Sequence, residues 1–65
     1  MLTTDDFNFL VGKTLEQAQT EIPKRYSIFV NEKDGEALYR PQEMDPHRIN
    51  VRTKKGTITK VDGVN

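Results

Sequence analysis

A chain of 65 residues has room for one domain, and it buries only about three fifths of its unfolded surface, so its core must be small. It contains no cysteine, which excludes a disulfide framework and a thiolate metal site and leaves stability to packing alone. The formal net charge is zero but unevenly placed: residues 1 to 47 hold five Lys/Arg against nine Asp/Glu, whereas residues 48 to 65 hold five against one.

Residues 1 to 9 show no period and are expected as an N-terminal tail ahead of a single domain over residues 10 to 65, although Phe7 and Phe9 are apolar enough to lean on that domain. The opening carries acids where a signal peptide would carry lysines, and no apolar run is long enough for a membrane helix. The expected setting is therefore cytoplasmic, without a membrane. After Gly12, Thr14 and Gln17 fit a capping box, so a helix should begin there. Leu15, Ala18 and Ile22 fall on one stripe of that helix, and Pro23 ends it.

Tyr26 to Val30 is rich in β-branched and aromatic residues and reads as a strand with Tyr26, Ile28 and Val30 on one face. Residues 31 to 47 have no sustained period, contain Gly35, Pro41 and Pro46, and are expected as one long loop. Arg48 to Thr53 alternates cleanly, with Ile49, Val51 and Thr53 on one face and Arg48, Asn50 and Arg52 on the other. Lys54, Lys55 and Gly56 make a turn, and Thr57 to Val61 returns as a second strand. Ile58 and Val61 are three apart and cannot share a face of a regular strand, which predicts a bulge or an early end to pairing near Thr59 and Lys60. The order implies an α+β fold: one short helix packed on a small mixed sheet of about three strands, with the long loop between the first two. That loop is long enough to cross the sheet and make those strands parallel, and an antiparallel meander is the alternative.

The chain offers one serine, Ser27, and one histidine, His47, too little for a nucleophilic triad on the expected elements. Asp5 with Asp6, and Glu43 with Asp45, lie in segments with no packing to tune paired carboxylates. A zinc site and a glycine-rich phosphate cradle are also lacking, so the expectation is a non-enzymatic binding protein with no metal and no cofactor.

Three pieces then align with a known family. Leu10-Val11-Gly12-Lys13-Thr14 precedes the short helix; Tyr39-Arg40-Pro41 and Arg48-Ile49-Asn50-Val51 follow; Gly56-Thr57-Ile58-Thr59-Lys60-Val61 closes the series. In order and spacing the chain resembles potato inhibitor I and the small bacterial peptidase inhibitors related to it, over residues 10 to 61. The resemblance implies a protein that presents an extended loop to a serine peptidase, of subtilisin or chymotrypsin type, and binds as a substrate would; the chain is expected to be a monomer. It implies a contact segment of Gly35, Glu36, Ala37, Leu38, Tyr39 and Arg40, with Ala37 or Leu38 at the specificity pocket, and Arg48 with Asn50 beside it supporting the loop. The family usually has threonine before the pocket residue and an acid after it, where this chain has Glu36 and Leu38. It usually has one residue between the proline and the arginine, where this chain has six, Gln42 to His47.

Two other functions compete. A basic face of Arg48, Arg52, Lys54, Lys55 and Lys60 would suit nucleic acid or an acidic protein, although no aromatic residue is interleaved there for base stacking. The glycine, short helix and strand over residues 11 to 30 are also similar to the cell-wall-binding repeat domain of penicillin-binding kinases.

Overall fold

The computed structural model describes residues 4–38 and 43–65. A 3₁₀ helix, Thr4–Leu10, leads into helix α1, Leu15–Glu21, and four strands follow: β1 Ser27–Lys33, β2 Glu36–Ala37, β3 Arg48–Lys54 and β4 Thr57–Val64. They form one mixed sheet in the order β2-β1-β3-β4. The fold is α+β as the patterns imply, with a fourth strand because the stretch after β1 is not all loop.

Helix α1 starts where its cap dictates. The Thr14 hydroxyl accepts from the Gln17 amide at 3.2 Å and the Gln17 side chain accepts from the Thr14 amide at 3.1 Å. Ala18 and Ile22 from the apolar stripe are buried, and Leu15 packs against the same core. From Thr4 onward, the segment expected as a tail is instead part of the fold. In a 3₁₀ helix residues three apart eclipse, so Phe7 and Leu10 line one edge, 3% and 0% exposed, while Phe9 is half exposed. Gly12 and Lys13 then clip this region to the sheet edge: the Gly12 amide donates to the Ile58 carbonyl and the Ile58 amide to the Lys13 carbonyl, both at 2.8 Å. Gly12 reaches that position at φ 94, where a side chain is disfavoured.

Strands β1 and β3 are parallel, with Ile28 opposite Ile49 and Val30 opposite Val51. Strands β3 and β4 are antiparallel, and Thr59 falls out of register between Ile58, paired with Thr53, and Lys60, paired with Arg52. The bulge expected there lets both Ile58 and Val61 point into the core, 0% and 3% exposed. A second shift sets Asp62 out of register between Val61 and Gly63. Ile49, Val51, Ile58 and Val61 thus meet Phe7, Leu10, Ala18 and Ile22 in one core on one face of the sheet.

Candidate functional site

The opposite face of the sheet carries the polar residues of the alternating pattern. Arg48 and Asn50 point there, yet they are only 9% and 1% exposed. Burying a guanidinium costs several kcal/mol unless its donors are matched, so its surroundings have to compensate. The Arg48 Nη2 group donates to the Glu43 carbonyl and, at 2.8 Å, to the Asn65 carbonyl, while its Cζ lies 5.9 Å from the centre of the Phe29 ring. Asn50 Nδ2 donates to Asn65 Oδ1 at 2.6 Å and to the Gly63 carbonyl at 3.3 Å. One strand thereby ties the far end of the β2–β3 connection to Gly63 in β4 and to Asn65 just beyond it.

Further along the same face, Arg52 Nε donates to both carboxylate oxygens of Asp62, at 3.0 and 2.9 Å, and its Nη1 lies 3.3 Å from Glu32. Asn31 Nδ2 donates to Asp62 Oδ2 at 3.0 Å. Desolvation is the largest single influence on Asp62 and raises its pKa, but hydrogen bonds from Asn31 and Arg52 and the charges of Arg52 and Lys60 together outweigh it and hold the carboxyl below its ordinary range. The hydrogen bond to Asp62 and that residue's charge, with a smaller contribution from Glu32, push the Arg52 guanidinium upward. The second bulge of β4 is what brings Asp62 within reach of Arg52.

The stretch expected as an uninterrupted loop over residues 31 to 47 is corrected at its near end. Strand β1 runs on to Lys33, Asp34 and Gly35 turn at φ 53 and 85, and β2 returns antiparallel with Ala37 opposite Glu32. Two consecutive positive φ values are what a two-residue hairpin turn needs, and Asp-Gly supplies them at little cost. Gly35 therefore lies in a turn, Glu36 and Ala37 in an edge strand, and the Leu38 amide donates to the Asn31 carbonyl at 2.9 Å. Tyr39 and Arg40 lie outside the described residues. The connection proper runs from Leu38 to His47.

Its far end is pinned repeatedly. Besides the Arg48 contact to the Glu43 carbonyl, Asp45 Oδ1 accepts from the His47 amide at 2.8 Å and the Asp45 carbonyl accepts from the Arg48 amide at 3.2 Å. The His47 carbonyl accepts from the Ser27 amide at 2.8 Å, and the His47 ring meets Tyr26 edge-on at 5.3 Å. Ser27 and His47 are thus neighbours, but no hydrogen bond joins the hydroxyl to the imidazole. Between these anchors Met44 is 82% exposed, a residue the sequence patterns did not single out. A lone methionine in an aperiodic stretch gives no signal of its own.

Of the five cations in the alternative basic face, Arg48 is buried in the connection's support and Arg52 is engaged by two carboxylates. Lys54, Lys55 and Lys60 remain exposed. Beside Arg52 a shallow groove of about 240 Å³ is lined by Asn31, Glu32, Ala37, Leu38 and Asp62. Among the described residues no cluster of side chains could hold a metal ion, and no helix is long and apolar enough to cross a membrane. No family model, no curated protein and no solved structure matches the chain.

Proposed function

We propose that this chain is a serine peptidase inhibitor-like protein, acting as a monomer, which offers the connection between β2 and β3 to a peptidase of subtilisin or chymotrypsin type as a substrate would be offered. The observation that carries the reading is the Arg48 guanidinium, held against Phe29 and donating to the Glu43 carbonyl. An arginine spent on a main-chain oxygen of a surface connection fixes the shape of that connection where it is held, here over residues 43 to 47. A segment held in its bound shape loses little conformational entropy on docking, which is how a short loop can bind tightly. Both ends are also tied to β1, through the Asn31 carbonyl at Leu38 and the Ser27 amide at His47, so a cut between them would leave the new termini in place. Such a product dissociates slowly and can be resealed.

The basic-face alternative is weaker by two cations, because a phosphate would have to compete with Glu43 and Asn65 for Arg48 and with Asp62 and Glu32 for Arg52. A cysteine-free chain agrees with a reducing compartment such as the cytoplasm. The test of the inhibitor reading is titration of subtilisin-like, chymotrypsin-like and elastase-like peptidases with the intact chain. Loss of activity in proportion to added protein is expected; rapid digestion without loss of activity would refute the reading and turn attention to Lys54, Lys55 and Lys60.

A further inference from the structure

The inhibitor reading leaves open which side chain enters the peptidase, and the resemblance points to Ala37 or Leu38. The geometry points elsewhere: we propose that Met44 is the residue that fills the peptidase's primary specificity pocket, an apolar slot that accepts a long unbranched side chain. This assignment rests on the inhibitor reading. A substrate-like ligand docks by laying extended main chain against the enzyme's own strand, so the residue that enters the pocket needs its own amide and carbonyl free as well as a protruding, pocket-filling side chain. Leu38 and Ala37 each fall short of that requirement in one part. The Leu38 amide is committed to the Asn31 carbonyl and its side chain is only 41% exposed beside the polar Arg52 and Asp62, while Ala37, exposed on the edge strand, offers only a methyl group to fill a pocket.

Met44 meets it. Its side chain is 82% exposed, more than that of Phe9, Val11 or Leu38, and its amide and carbonyl make no hydrogen bond among the described residues. The positions on either side are the fixed ones. Arg48 holds the Glu43 carbonyl on one side, and on the other Asp45 accepts from the His47 amide through its side chain and from the Arg48 amide through its carbonyl. A residue that protrudes between two anchors one position away is presented, whereas a residue at the tip of an unheld loop is merely exposed. Its thioether chain is unbranched and adaptable and suits a deep apolar slot. Slow turnover would then hydrolyse the Met44–Asp45 bond, water adding across the amide to leave a Met44 carboxylate and an Asp45 amine.

The experiment compares the intact chain with Met44→Lys and Leu38→Lys against subtilisin, chymotrypsin and trypsin, with mass spectrometry of the first bond cut. Thermal unfolding of each variant checks that the exposed substitutions leave the fold intact. Met44→Lys is expected to shift the ratio of inhibition constants toward trypsin by about 100-fold, within the range a pocket side chain controls. The same change at the rival position, Leu38→Lys, should shift that ratio at least about tenfold less than Met44→Lys does, and the first cut should fall after Met44. Inhibition by the intact chain with an unchanged profile for Met44→Lys, or a first cut between residues 36 and 42, would overturn the Met44 assignment and leave the inhibitor reading standing. An intact chain that inhibits none of the three overturns that reading and the assignment with it.

Discussion

Adjacent residues of β3 show how differently the two faces of the sheet are built. Ile49 is fully buried and packs in the apolar cluster beneath α1 and the 3₁₀ helix. Asn50, one position on and 1% exposed, is just as deeply placed, but its neighbours are the Gly63 carbonyl, the Asn65 side chain and Arg48 with its own carbonyl partners. Apolar burial is proportional to area and carries little direction, so the inner face supplies stability without fixing any surface segment. Hydrogen bonds are directional, and buried polar groups left unmatched cost about 1–3 kcal/mol each, so the outer face gains less stability but holds its partners in one arrangement. In a chain this short, giving buried positions to polar groups is costly unless something has to be positioned. Here that something is the connection ending at His47.

Substitutions at these neighbouring positions separate the two roles. Ile49→Ala should have the largest effect, a loss of about 2–5 kcal/mol from the removed methylenes and the cavity left behind. Urea unfolding followed by circular dichroism should show a lower midpoint, with peptidase sensitivity raised throughout the chain. Asn50→Ala should cost less, about 1–3 kcal/mol, because it frees the Gly63 carbonyl and Asn65 from their donor. Amide exchange should quicken near residues 63–65 and 43–47 more than in α1. Equal effects on both regions would erase the distinction between the faces.

The smallest effect is electrostatic. The Asp62 carboxyl lies below its ordinary value of 3.8 in the folded chain, so its contribution to stability is fully present above that value and disappears as the pH falls through the lower folded one. The melting temperature of the intact chain should therefore fall as the pH drops below about 4, and Asp62→Asn should flatten that fall while lowering stability slightly at pH 7. Parallel curves for the two proteins would show that Arg52 and Asn31 do not hold the carboxylate as drawn.

Local signals made much of the inner face legible. The Thr14–Gln17 pair announces α1, the alternation from Arg48 to Thr53 announces β3, and the three-residue spacing of Ile58 and Val61 announces a bulge, because each depends on residues close in sequence. The 3₁₀ helix escaped notice since only Phe7 and Leu10 mark its three-residue repeat. The hairpin at Asp34-Gly35 carried a recognisable turn dipeptide, but it was absorbed into a stretch read as loop for its prolines and lack of period. For the outer face, the resemblance singled out Arg48 and Asn50 as supports, whereas their partners depend on tertiary register. Glu43, Asn65 and Asp62 reach β3 only because β1 and β3 are parallel and β4 is bulged, and no local pattern encodes that combination.

The most direct test of the account is Arg48→Lys, assayed for both melting temperature and inhibition of subtilisin. Lysine keeps the charge and a long stem but loses the planar fork that reaches the Glu43 and Asn65 carbonyls together. The account predicts a protein that still folds but inhibits at least about tenfold more weakly and is cut faster between residues 43 and 47, since about 1.4 kcal/mol of lost preorganisation is a factor of ten. Inhibition and cleavage unchanged from the intact chain would contradict the claim that Arg48 holds the connection ready for a partner.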